Sequence, residues 1–209
     1  MNVVQIRVKE DWKSDYYSSI VNQEWKKFGV TPTPHWGTTP ETIPNGPLRF
    51  AEHKFSGTKW TDFEIAIWYS HYRVWQQVRE PTYVIEHDTY PLRPLPKFDK
   101  EWGMFSLFPA NDDAWLGRGQ NISPGSGYYI NITSASILMD MATCTEITEN
   151  VDGHIFTTMK RFLGLKEKEL QEKFLKTASC FQIVNYNIGT TASHNHEETN
   201  LSSSGGQEE

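Results

Sequence analysis

Three consecutive residues, Glu86, His87 and Asp88, follow the apolar run Thr82-Tyr83-Val84-Ile85 and precede Pro91, Pro94 and Pro96. The run reads as a buried strand and the prolines stop its continuation, so the acids fall where a strand runs out into a loop. In open α/β sheets ligands collect at the carboxyl ends of strands. Side chains alternate along an extended strand, which puts Glu86 and Asp88 on one side for as long as the strand persists. Two carboxylates brought together there repel unless a cation lies between them. A hard divalent ion, Mg2+ or Mn2+, prefers oxygen ligands and diphosphates and is the natural guest. Its use would be to neutralise a departing nucleoside diphosphate. A pair of solvated acids at a strand end would give the same three letters, so spacing alone leaves both readings open.

The elements that must position these residues are legible around them. Thr61-Asp62-Phe63-Glu64 fits a capping box, in which Thr and Glu satisfy each other's free amides. Ile65, Trp68, Tyr72, Trp75 and Val78 then make an apolar stripe up to the break at Pro81. Glu64 is accounted for by the cap, and His71 on the same helix fits a core histidine as well as a site residue. Ser70 and His71 are helix neighbours that point different ways, so they are no hydrolase pair. Upstream, Val3 to Val8 reads as a buried strand, and a helix follows with Tyr17, Ile20, Val21, Trp25 and Phe28 on one side, ended by Gly29. Residues 31–48, with five prolines and Asn45-Gly46, read as a surface loop.

Downstream, Met104 to Phe108 and Gly127 to Ile132 read as strands on either side of a long loop. Helices are predicted over Ser134–Thr143, Asp152–Leu163 and Lys166–Leu175, and a last strand over Phe181–Val184. Strands alternating with helices favour an α/β fold: one domain over 1–195, with a central sheet flanked by helices. The stretch 196–209 is polar and Gly/Ser-rich, and is predicted to be a disordered tail.

Composition sets the bounds. The chain has 209 residues, enough for one well-buried core, and 37% hydrophobic with 22% charged residues is ordinary for a globular protein. Eight Trp, nine Tyr and eleven Phe can fill a core or wall a planar or sugar ligand. The net charge of −6 opposes a nucleic-acid partner, yet four of the 26 acids (Glu197, Glu198, Glu208 and Glu209) sit in the tail. The body is therefore near neutral. No apolar run reaches the roughly 18 residues of a membrane span, and the first residues do not resemble a secretory signal. Cys144 and Cys180 are too few for a disulfide framework. A cytoplasmic protein, in a bacterium or a phage-infected host cell, is the expectation.

The order Thr61-x-x-Glu64-Ile65, Ser70-His71, Trp75 and then Val84-Ile85-Glu86-His87-Asp88 resembles the family twenty-five, or lipooligosaccharide-type, glycosyltransferases. Gly127-Tyr128-Tyr129-Ile130, then Ala135, resembles a Gly-x-x-Ala-Tyr-x-Ile segment of that family, and Val151-Asp152 a Val-Asp that follows it. The likeness spans residues 60–155. It departs at Ala66, where the family has Gly, and at His87, where the family has an acid. The resemblance implies a Rossmann-like, nucleotide-binding sheet of the A-type glycosyltransferase fold. It implies metal binding by Asp88 and Glu86, with Glu86 alternatively on the ribose, and donor binding that draws in Glu64 and His71. His194, or His196, would add a late metal ligand. Asp152 is the expected general base toward the acceptor hydroxyl, although Asp is also a favoured helix N-cap.

The implied activity is transfer of a sugar from a nucleotide-sugar donor to an acceptor hydroxyl with Mn2+ or Mg2+. The acceptor would be a saccharide or, in a phage, a hydroxymethylated DNA base. A non-catalytic sugar-binding module on the same fold is the alternative. A metal phosphohydrolase fits less well, because such sites carry denser His/Asp clusters.

Overall fold

A computed structural model describes residues 2–52, 57, 59–91, 94–95, 104–106, 127–164 and 181–183. The predicted loop at 109–127, apart from Gly127, the predicted helix at 166–175 and the tail lie outside the described residues, as do His194 and His196.

The chain starts with β1 (Asn2–Arg7), followed by α1 (Trp12–Lys27) and β2 (Thr33–Trp36). A short 3-10 turn at Pro40–Thr42 leads toward α2 (Asp62–Gln77) and β3 (Thr82–Glu86). Then come β4 (Thr89–Pro91), β5 (Met104–Ser106), β6 (Gly127–Ile130), α3 (Ile132–Cys144), α4 (Val151–Leu163) and β7 (Phe181–Ile183). Five strands form the central sheet in the order β2-β1-β3-β6-β5, while β4 pairs with β7 in a small second sheet. β1 is parallel to both β2 and β3, and β6 runs antiparallel to its neighbours β3 and β5. The fold is thus a small mixed α/β fold with a mixed central sheet flanked by helices.

Register sorts the side chains. One face carries His35, Ile6, Glu86 and, farther along β3 and β6, Val84 beside Tyr128. The other carries Trp36, Arg7, Gln5, Ile85, Tyr83 and Tyr129. α2 covers the first face, where its His71 and Trp75 reach Tyr128. α1 lies toward the second, where its Asp15 pairs with Arg7 at 2.6 Å. Two parallel crossovers leaving β1 and β2 toward opposite faces make the gap between β1 and β3 a topological switch point.

The local chemistry explains the helix limits. Asp11 caps α1 by accepting from the Ser14 amide at 2.8 Å, and Gly29, at φ 72°, takes the left-handed turn after its last residue. Asn131 caps α3 through the Ser134 amide at 2.9 Å, so that helix starts two residues earlier than its apolar spacing suggests. The segment 31–48 is not all loop. Thr33–Trp36 adds an edge strand to β1, which its prolines tolerate because an edge leaves one side of the backbone unpaired. Trp25, Trp68 and Trp75 are among the largest fully buried side chains, so much of the aromatic content is core. No helix among the described residues is long and apolar enough to cross a membrane.

Candidate functional site

Glu86 ends β3 beside the switch point. Its register partner on β1 is Ile6, whose partner on β2 is His35, so the three stand in one row near the carboxyl ends of the parallel strands. The chain then turns. The Glu86 amide donates to the Thr89 hydroxyl at 3.1 Å, and the Thr89 carbonyl accepts from the Trp25 indole at 3.0 Å. His87 and Asp88 form the turn between these two fixed points. Extended backbone therefore stops at Glu86, and the strand alternation that would align Glu86 with Asp88 does not reach Asp88. The reason is that Thr89 is drawn in by Glu86 on one side and by α1 on the other. Asp88 is buried, at 4% exposure, while Glu86 remains partly open.

On the helix side, His71 is fully enclosed and presents its two nitrogens to different partners. Nδ1 lies 2.9 Å from the Tyr128 hydroxyl, and Nε2 lies 3.6 Å from Oε1 of Glu86. Trp75 donates its indole N–H to the same hydroxyl at 2.9 Å. An indole nitrogen can only donate, so the phenol oxygen is an acceptor toward Trp75. Burial pushes the Tyr128 phenol far above its ordinary range, and the charges of Glu86 and Asp152 push the same way, against the indole bond. The phenol therefore keeps its proton.

Asp152 lies close enough for its charge to act on the Tyr128 phenol. It sits in the first turn of α4, but it is not the cap of that helix. Asn150 fills that place, accepting from the Gly153 amide at 2.8 Å through its side chain and from the His154 amide at 3.0 Å through its backbone. The start of α4 is held further by the Trp68 indole on the Glu149 carbonyl at 3.2 Å, and by the His154 ring stacked on Trp75 at 5.8 Å. These contacts fix the start of α4, which carries Asp152, against α2.

Of the residues singled out by sequence, His71 meets Tyr128 and approaches Glu86, Asp88 lies in the turn after Glu86, and Asp152 acts on Tyr128 through its charge. Glu64 is placed elsewhere. Its carboxylate accepts from the Thr61 amide at 2.9 Å and closes the capping box at the start of α2. Tyr128 and Trp75 organise the cluster, yet in the sequence they stand only as strand, stripe and resemblance residues, with no chemical role. A tyrosine in a fully buried strand gives no signal of where its hydroxyl goes.

His35 extends the row at its outer end. Burial lowers its pKa, with Arg73 adding to the effect and a Gln77 hydrogen bond opposing it. Metal-ligand convergence is limited: among the described residues no three His, Cys, Asp or Glu side chains gather as a ligand set. Glu86 and Asp88 offer oxygen donors from one short turn. That donor type suits Mg2+, which is commonly held by one or two carboxylates and completed by waters and substrate phosphates. The chain matches no protein-family model and no curated protein.

Proposed function

We propose that the chain is a glycosyltransferase that moves a sugar from a nucleotide-sugar donor to an acceptor hydroxyl, with a divalent metal at the Glu86–Asp88 turn. One observation carries the reading: a partly open carboxylate, Glu86, ends β3 at the switch point of a mixed sheet, where α/β folds of the nucleotide-binding kind receive their ligands. Reading this sheet as Rossmann-like belongs to the same proposal.

Glu86 and Asp88 would hold the metal, which when bound supplies positive charge against a leaving diphosphate. The chain's own residues do the rest. His71 stands 3.6 Å from the Glu86 carboxylate and lines its inner side, while Tyr128 anchors the His71 ring. Asp152 takes the acceptor hydroxyl proton as general base. Burial of Asp88 and His71 keeps water from the inner side of the turn.

The test is calorimetric titration of UDP, GDP and CMP and their sugars, with Mn2+ and again with chelator. Binding of one nucleotide that needs Mn2+ and is lost in Asp88→Asn supports the reading. A folded sample that binds none of them sinks it. The second reading, a sugar-binding module, is motivated by His87, which stands where the resembled family has an acid. It predicts sugar binding that is indifferent to metal.

A further inference from the structure

Three large aromatic side chains stand in solvent near the carboxyl edge of the sheet: Trp12 at 71% exposure, Tyr16 at 54% and Trp36 at 44%. Trp12 opens α1 and Tyr16 lies one helical turn on, so the two share a face. Trp36 ends β2, and its register partner Arg7 lays its guanidinium over the indole at 5.2 Å. The same guanidinium meets Asp15 at 2.6 Å, between Trp12 and Tyr16 in the sequence of α1. Tyr16 also rests edge-on against the buried Tyr17 at 5.3 Å. Arg7 directly follows Ile6, the register partner of Glu86, so the aromatic group lies at the same carboxyl edge as Glu86 but on the opposite, α1-facing side of the sheet.

The geometry points to this aromatic group as the platform for an uncharged saccharide, which deepens and rests on the glycosyltransferase reading by giving the acceptor a place and a class. The electron-rich faces of Trp and Tyr attract the partly positive C–H edges of a sugar ring. Arg7 and Asp15 add N–H donors and carboxylate acceptors side by side, the pairing that sugar hydroxyls, each both donor and acceptor, require. Charge sets the choice of occupant. Arg7 and Asp15 pair and cancel, leaving no unpaired cation among the described residues of the group for a phosphodiester polymer, whose binding is dominated by phosphate contacts. A protein partner is disfavoured by the ion pair at the centre of the group, because interface cores are depleted in carboxylates.

The experiment records the indole N–H signals of Trp12 and Trp36 by NMR, assigned from Trp12→Ala and Trp36→Ala, during titration of maltotetraose, chitotetraose and a galactan tetraose. Shifts of both signals by at least one probe are expected, with affinity falling about tenfold in each variant. Melting and Mn2+-dependent nucleotide binding should stay at wild-type values in both variants, because neither residue is in the core or the metal turn. Absence of shifts with all three probes overturns the platform. So does binding of an oligothymidylate through the same two indoles, or a wild-type dimer that Trp12→Ala dissociates. Nucleotide binding without saccharide binding removes the platform and leaves the transferase. Saccharide binding without nucleotide binding keeps the platform and removes the transferase.

Discussion

Nδ1 of His71 lies 2.9 Å from the Tyr128 hydroxyl, which ties α2 to β6 at the same oxygen that Trp75 reaches from one turn further along. A single oxygen thereby satisfies two buried nitrogens. Tyr128→Phe removes it and strands both, at a cost of about 1–3 kcal/mol for a buried group left without its partner. Urea unfolding should show a lower midpoint with little change in slope. Loss of less than about 0.5 kcal/mol, the scale of an ordinary surface substitution, would mean that the hydroxyl is not holding the pair.

The cap of α2 separates two roles for Glu64. Gln at that position keeps the capping box, because its side-chain oxygen can still accept from the Thr61 amide. Glu64→Gln should therefore leave stability within about 0.5 kcal/mol of wild type, whereas Thr61→Ala should lower it by about 1 kcal/mol. If Glu64→Gln also leaves Mn2+-dependent nucleotide binding intact, the carboxylate is a capping group and not a donor ligand. A clear loss of affinity in a stable variant would restore its donor role.

His35 gives the fold a pH dependence with a definite sign. Burial and the neighbouring Arg73 lower its pKa below the ordinary 6.5, so the folded protein favours the neutral ring. As pH falls through 6.5 the unfolded chain takes up a proton that the folded chain still refuses. Stability from this residue is thus full above 6.5, falls as pH drops toward the lowered folded value, and stops changing below it. Replacing His35 with Gln should flatten that part of the stability–pH curve measured by denaturant titration. An unchanged slope would assign the dependence to other groups.

How much of this was readable from sequence follows from which forces act locally. The capping box at Thr61–Glu64, the stop at Gly29 and the strand leading to Glu86 are set by residues within a turn of each other, and their chemistry shows in the letters. β2 was missed because Pro32 and Pro34 signal loop, and only the free edge of β1 makes Thr33–Trp36 a strand. The meeting of Glu86, His71 and Tyr128 depends on three elements, β3, α2 and β6, coming together, which no local pattern encodes. The turn at His87–Asp88 likewise answers to Trp25 on α1 holding Thr89, a contact far away in the chain.

Asp152 provides the sharpest separation of chemistry from scaffolding, because Asn150 and not Asp152 caps α4. Asp152→Asn keeps the shape of the side chain and removes its charge. At the first turn of a helix that charge contributes about 0.3–1 kcal/mol against the dipole, so the melting temperature should fall only slightly. Asn150→Ala, by contrast, should cost about 1 kcal/mol through the lost cap. If Asp152 takes the acceptor proton, Asp152→Asn should lower sugar transfer by about 10²–10⁴-fold, the range for loss of a general base. Nucleotide-sugar affinity with Mn2+ should remain near wild type, since the donor is held from the β3 turn. Equal activity in Asp152→Asn and wild type would remove Asp152 from the reaction. Equal activity in Asn150→Ala at a temperature where it is folded is the control that the effect is chemical.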